Sequence, residues 1–375
     1  MDNVQDTRKL PPFTEGALSP ETWNDDRRNE ILRLFRNEIY GEIPDQESIS
    51  LSFRTAYEDS SDSVMGGYAV RKTVEVTAER SGNVYSFSFV LFVPKHAAGP
   101  VPAVITLCNR GIMDVDPSRA VLSPFWPAET MISRGYAAAA LLTHAVAPDY
   151  FEGFTMGFHK LYPEYALKRP GSMGGAISAW AWGIGTVVDY LQSDAMIDGK
   201  KIAAVGHSRG GKTVLWSAAQ DARISVAVSS CSGCTGAALA RGKTGERAAD
   251  IASRFPYWFC ENYQKYKNNE DALPVDQHML LGLIAPRRIY VASRTRDAWA
   301  DPIGEFESCL RASAIYKLYG KTGLPLSQMP RPDTPVLSGE IGYHIKTGGH
   351  DMDEYDWERF LDFFDASFRK EASWP

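Results

Sequence analysis

Ser208 stands between two glycines in Gly206-His207-Ser208-Arg209-Gly210, a G-x-S-x-G pattern. The apolar run KIAAVG precedes it, and a helical pattern over 212–219 follows. A serine placed on a tight strand-to-helix turn needs neighbours with very small side chains. The helix that follows points its N-terminus at any negative charge developing beside the serine. Those are the requirements of a nucleophile, and a serine nucleophile needs a base and an orienting acid, in the chain order Ser, Asp or Glu, His. Of the seven histidines, only His344 and His350 follow the last predicted strands. His344 lies inside IGYHIKT, where a histidine is normally packed. His350 lies in the glycine-rich loop TGGHDMDEYDW and is the expected base. For the acid, the loop RTRDAWADP offers Asp297 and Asp301. Asp297 is nearer the strand end and is the expected acid, holding the tautomer of His350 and stabilising its imidazolium. Asp301, directly before Pro302, is the alternative and suits a helix cap.

The expected oxyanion donors are the backbone N–H of Arg209 and an amide from the loop Cys108-Asn109-Arg110-Gly111. The Arg209 side chain either puts a fixed positive charge beside the nucleophile or pairs with a surface carboxylate. Lys212, one helical turn past Ser208, either presents its ammonium to a substrate hydroxyl or carboxylate or is a solvated helix lysine. Cys231-Ser-Gly-Cys234 has the C-x-x-C spacing of redox or metal chemistry. No second Cys/His pair at zinc spacing accompanies it, so no metal is expected.

Elements able to position these residues are legible along the chain. Short apolar runs without alternation (VPAVITL, YAAAALL, KIAAVG, ISVAVSS, RIYVAS) predict strands buried on both faces. Helical patterns over 176–191, 212–219, 276–284 and 305–319 separate them, and IGYHIKT with the helix YDWERFLDFFDASF completes the series. Upstream, GYAVRKTVEVTAE and VYSFSFVLFVPK, joined by Ser81-Gly82-Asn83, predict an antiparallel hairpin at the sheet edge. Residues 21–40 predict an amphipathic helix, with Ile31, Leu32, Leu34 and Phe35 toward one face. The segment 143–173 is too long for an ordinary connection and is expected to fold over the C-terminal edge of the sheet, where sites form in such folds. The expectation is an α/β fold with a mostly parallel sheet and helices on both faces. Residues 1–375 form one domain, with a helical segment over 1–60 packed on it.

Composition excludes several classes. With 44% hydrophobic and 23% charged residues, the 375-residue chain reads as a soluble globular protein. A net charge of −6 and the absence of a basic tract argue against nucleic-acid binding. Five cysteines, an odd number in a large chain, do not describe a disulfide scaffold. No apolar run is long enough to span a bilayer. The opening MDNVQDTRKLPPFTEG lacks the apolar centre of a signal peptide, so the residues as they stand read as cytoplasmic, or as exported if a leader has been removed.

The segment GHSRGGK resembles the G-C-S-R-x-G-K signature of glucuronoyl esterases, carbohydrate esterase family 15, whose bacterial branch often carries His before the serine. WAWGIGTVVDYL, FPYWFCENYQKY, LPVDQHMLLGLIAPRRIYVAS, DAWADPIGEF and GYHIKTGGHDMDEYDWERFLDF are similar to the same branch and to relatives labelled acetyl xylan esterase. The resemblance implies an α/β-hydrolase that cleaves the ester between a glucuronic acid on xylan and an alcohol of lignin. It implies Ser208 as nucleophile, His350 as base, Arg209 at the oxyanion and Lys212 at the uronate hydroxyls. Trp299 would line the sugar site, Trp258 falls in a matching segment, and Arg254 stands near the family's Gln or Glu sugar contacts.

Two departures matter. Many members carry the acid as Glu in a Q-E-S-G segment, where this chain has Ser230-Cys231-Ser232-Gly233; a thiol cannot replace that carboxylate, which again points to Asp297. His207 and Asp351 stand where fungal members have two half-cystines, so that disulfide is absent. The expected protein is a monomeric serine carboxylesterase acting on a carbohydrate ester, with no cofactor and no nucleic-acid or membrane partner. Deacetylation of xylan or hydrolysis of another sugar ester, a non-catalytic binding module, and a Cys231/Cys234 redox pair stay open as alternatives.

Overall fold

An apolar run without alternation must be covered on both of its faces, and the central strands of this protein are covered in that way. A computed structural model of the protein describes residues 9–14 and 19–368. Its strands are β1 (Ser50–Asp59), β2 (Ala69–Arg80), β3 (Asn83–Pro94), β4 (Val101–Cys108) and β5 (Ala137–Leu142). They continue as β6 (Ile197–His207), β7 (Ile224–Ser230), β8 (Arg288–Arg294) and β9 (Ile341–Lys346). All belong to one sheet of order β1-β2-β3-β5-β4-β6-β7-β8-β9. From β5 to β9 every neighbouring pair is parallel, whereas β1, β2, β3 and β5 pair antiparallel.

Side chains alternate between two cores. On β4, Ala103, Ile105 and Leu107 enter one while Val104 and Cys108 enter the other. On β8, Ile289 and Val291 face the first core, and Tyr290 and Ala292 the second. The first core is closed by helices Ala176–Ser193 and Arg209–Gln220, through Trp180, Ile184, Val187, Val214 and Leu215. Helices Ala128–Ser133 and Glu354–Phe368 close the second with Met131, Ile132, Trp357, Phe360 and Phe364. Burial on this scale is the main stabilising term of the fold. No helix among the described residues is long and apolar enough to cross a membrane.

The N-terminal part departs from expectation. The helix does form: Pro20 to Tyr40 is helical throughout, with wider turns over Trp23–Arg27 and Arg36–Tyr40. Ile31, Leu32 and Phe35 are buried in the first core, and the Tyr40 ring stacks on Trp216 at 4.6 Å. However, the hairpin β2–β3 is not the edge. It turns through Ser81 (φ 50°) and Gly82 (φ 80°), as a two-residue hairpin of matching twist requires. Then β1 pairs outside it, so residues 50–59 are strand rather than part of a helical segment. Most β1 side chains are exposed; only Leu51 and Phe53 touch the core. Segment 143–173 lies at the C-terminal end of the parallel strands, where Asp149 meets Arg209. The chain beyond Asp149 covers the end of the β2–β3 hairpin on the same side, where Arg80 pairs with Glu164 and Phe158 packs on Trp182. Residues 1–8 and 369–375, at the ends of the expected single domain, lie outside the described residues.

Candidate active site

β6 runs into a turn that needs a glycine at 206. A Cβ on Gly206 would lie 2.2 Å from the Gly210 carbonyl oxygen, so a larger residue would force strand and helix apart. Ser208 sits at the apex with φ 56° and ψ −124°, a conformation L-residues rarely adopt, costing about 1–3 kcal/mol. Neighbouring backbone holds it there. Its N–H donates to Ser230 O at 2.8 Å, and its carbonyl accepts from Gly211 N–H at 2.9 Å and Lys212 N–H at 3.2 Å. Helix Arg209–Gln220 starts at the next residue, so its unpaired first amides lie beside the serine.

The loops after β8 and β9 are laced together. Thr295 N–H donates to Lys346 O at 3.0 Å and Arg296 N–H to Gly348 O at 2.8 Å. Arg294, buried below, bonds the carbonyl of Asp351 and pairs with Asp356. This lacing puts Asp297 Oδ2 2.6 Å from His350 Nδ1, with the carboxylate side chain 5% exposed and the imidazole half-exposed. Nδ1–H therefore donates to Asp297, which leaves Nε2 as the free nitrogen of the ring. Asp301 does the other job considered for it: it caps helix Pro302–Leu318 by accepting from Gly304 N–H at 3.1 Å and faces Lys243 at 3.6 Å. His344 is fully buried between Tyr290 and Asp356, as a packed strand residue. His207 is buried against the His350 ring, with centroids 4.5 Å apart, and burial holds its pKa well below the usual histidine range.

Ser208, His350 and Asp297 line one cavity of about 340 Å³, together with Arg209, Lys212, Trp258, Trp299, Arg254 and Cys231. Arg209 lies at its rim: its Nε is 2.7 Å from Asp149 Oδ2 and its NH2 donates to Asn109 O at 3.1 Å. Asn109 belongs to the loop expected to supply the second oxyanion donor. Trp258 stacks on Phe255 at 3.9 Å and donates from Nε1 to Asp149 Oδ1 at 2.6 Å. Asp149 thus orients both residues, and sequence reading missed it; only the unusual length of 143–173 hinted at a site segment there.

Lys212 is not a solvated helix lysine. It is 3% exposed, donates to the carbonyls of Ser232 and Cys234, and lies 3.8 Å from Glu246. Burial lowers its pKa, partly countered by Glu246. Glu246 also accepts from Trp299 Nε1 at 3.3 Å and lines the cavity; no spacing in the sequence marks it. Trp299 is half-exposed and Arg254 exposed. Beneath the site, the buried Glu305 accepts from Gly233 N–H at 2.9 Å and Ser293 Oγ at 2.6 Å, and burial pushes its carboxyl up to about 7.

The five cysteines are all free and buried, so Cys231 and Cys234 form no redox disulfide here. At the place of the fungal disulfide, Arg110 pairs with Asp351 at 2.5 Å and the rings of His207 and His350 meet. A strained serine, an imidazole with one nitrogen fixed by a buried carboxylate, and an arginine beside helix amides are the parts that acyl transfer requires.

Known proteins resemble this chain over nearly its whole length. A family model of fungal glucuronyl esterases matches residues 76–320. The chain is 35% identical to carbohydrate esterase MZ0003 from an unidentified prokaryote, over 93% of this chain and 86% of that one. It is 28% identical to a 4-O-methyl-glucuronoyl methylesterase of Podospora anserina over 75% of this chain, a match spanning about half (53%) of the fungal protein. A glucuronoyl esterase structure from Solibacter usitatus superposes with a TM-score of 0.88 at 34% identity, covering 96% of this chain and 98% of that one. With the family match spanning well over half its length, the chain belongs to the glucuronoyl esterase family and has its α/β-hydrolase fold.

Proposed function

We propose that this protein is a serine carboxylesterase that hydrolyses the ester between a glucuronic acid carried on xylan and an alcohol of lignin. The observation that carries the reading is the 2.6 Å Asp297–His350 pair, which opens onto the same cavity as the strained Ser208. Ser208 Oγ attacks the ester carbonyl while His350 Nε2 takes its proton. The Arg209 N–H and its guanidinium stabilise the oxyanion, and His350 returns the proton to the departing alcohol. Water then enters by the same route in reverse order of roles and releases the uronate from Ser208. Asp297 keeps the proton on Nδ1 and offsets the imidazolium charge. The sugar ring lies against the half-exposed Trp299, whose face suits the apolar side of a pyranose, with the buried Trp258 in the wall beside it. Lys212 and Glu246 supply a donor and an acceptor for its hydroxyls. A single domain is the reading supported by the one sheet that the described strands share and by the N-terminal helix packed into the same core.

The test is a substrate panel on the purified protein: a methyl or benzyl glucuronate ester beside acetylated xylan. We expect the uronate ester to be preferred, and Ser208→Ala to lose at least about 10⁴ in kcat and all labelling by a fluorophosphonate. Equal turnover of acetyl esters would move the specificity to acetyl xylan. Retained activity or no labelling of the wild type would remove the serine esterase altogether.

A further inference from the structure

Cys231 lies at the heart of the site, and the esterase chemistry gives it nothing to do. It follows β7 directly, with its N–H donating to Ala292 O at 2.8 Å, and its side chain is 2% exposed. Its Sγ, a carboxylate oxygen of Asp297 and a ring nitrogen of His350 all lie within 4.8 Å of one another. We propose that Cys231, Asp297 and His350 form a binding site for a thiophilic divalent cation, Zn²⁺ or Cd²⁺, and that its occupancy switches the esterase off.

The donor set decides the class of ion. One sulfur, one imidazole nitrogen and one carboxylate oxygen suit zinc and cadmium, whereas magnesium and calcium demand oxygen alone. Tetrahedral zinc sits about 2.3 Å from sulfur and about 2.0 Å from nitrogen or oxygen, so its ligand atoms are roughly 3.3–3.7 Å apart. Reaching that spacing needs the Asp297–His350 contact to open from 2.6 Å and the thiol to close in. The half-exposed His350 imidazole, in a loop with two glycines before it, is free to make that movement. Thiolate and carboxylate together balance the charge of the ion.

Inhibition follows from the tautomer. The ion displaces the proton from Nδ1 and from the thiol, and both go to solvent. With a metal on Nδ1, the neutral ring carries its remaining proton on Nε2, so it has no lone pair left to accept the Ser208 proton. The metal acts on the base, not on the serine. Binding therefore stands independently of the proposed reaction, while the switch-off rests on it.

The experiment titrates chelator-treated enzyme with Cd²⁺, reading the ultraviolet thiolate-to-cadmium absorption alongside the hydrolysis rate. One equivalent should bind with that absorption in both wild type and Ser208→Ala. Cys231→Ser should lose the absorption, and its half-inhibiting Cd²⁺ concentration, read against its own metal-free rate, should rise at least about tenfold. Cys231→Ala should behave in the same way, and EDTA should restore the wild-type rate. Absorption that survives in either variant, or inhibition at an unchanged concentration, overturns the site. An active Ser208→Ala would instead overturn the esterase assignment, leaving the spectral titration to judge the metal site by itself.

Discussion

Replacing Asp297 by Asn tests the acid at the position that differs from many relatives. The substitution keeps the shape of a side chain that is 5% exposed and only 2.6 Å from His350 Nδ1. An amide –NH₂ facing Nδ1 favours the tautomer with its proton on Nε2, which cannot accept from Ser208. It also leaves the imidazolium of the transition state without a counter-charge. Nothing nearby substitutes: burial pushes the Cys231 thiol well above its ordinary pKa, so it stays neutral, and Asp301 is committed to Gly304 N–H and Lys243. Loss of both functions should lower kcat about 10³–10⁴-fold, or roughly 4–5.5 kcal/mol of transition-state stabilisation. The assay is alcohol release from benzyl glucuronate by purified variants, with Asp301→Asn as control. That control keeps an oxygen for the helix cap but loses the charge opposite Lys243, so its Tm should fall while kcat stays within about tenfold of wild type. Adding Cys231→Glu to Asp297→Asn should recover at least about tenfold, since a carboxylate from 231 approaches the same imidazole. If Asp297→Asn stays within tenfold of wild type, or Asp301→Asn is the more damaged enzyme, the acid has been misassigned.

Two further outcomes are expected. Asp149→Ala frees both Arg209 and Trp258, and should reduce kcat/KM on the glucuronate ester about ten- to a hundredfold; an unchanged value would mean that neither side chain needs this anchor. Glu305 is raised by burial from 4.5 to about 7, so the folded protein holds a proton that the unfolded chain releases between those values. Stability should therefore fall by roughly 3 kcal/mol as pH rises through that window and level off above it. Glu305→Gln, neutral at every pH, should flatten the slope of urea midpoints against pH, and an undiminished slope would place the titration elsewhere.

The site residues legible in the sequence are those whose positions are set by their immediate neighbours. Ser208 is marked by an apolar strand before it, a helix after it, and a glycine at 206, where a Cβ would strike the Gly210 backbone. His350 is marked by a glycine-rich loop between the last strand and the last helix. Asp297 follows from chain order and from its distance to a strand end, and Asp301 from the proline behind it. By contrast, Asp149 and Glu246 reach the cavity from loops whose course depends on what they pack against, and no local pattern records that. Lys212 shows the same limit. Helical spacing places it one turn from Ser208, but whether it meets water or protein depends on the loop after β7, whose carbonyls close over its ammonium. The strand β1 was hidden for the opposite reason: mostly exposed on an edge, SLSFRTAYED has too few buried positions to show a period of two.

Cys231 combines both kinds of information. In the sequence it is a missing carboxylate, which moves the acid one strand along to Asp297. In space the two positions converge on one imidazole, because β7 and β8 are parallel neighbours ending side by side in the sheet. Two adjacent strand ends can therefore each deliver an acid to the same base, and using one leaves the other to change without loss of the triad geometry. A thiol in the vacated place is neutral and poorly solvated, so it leaves ester chemistry to the carboxylate. The same thiol adds the one soft ligand that a carboxylate–histidine pair lacks. The substitution that is silent for hydrolysis is thus the one that opens this site to metal ions.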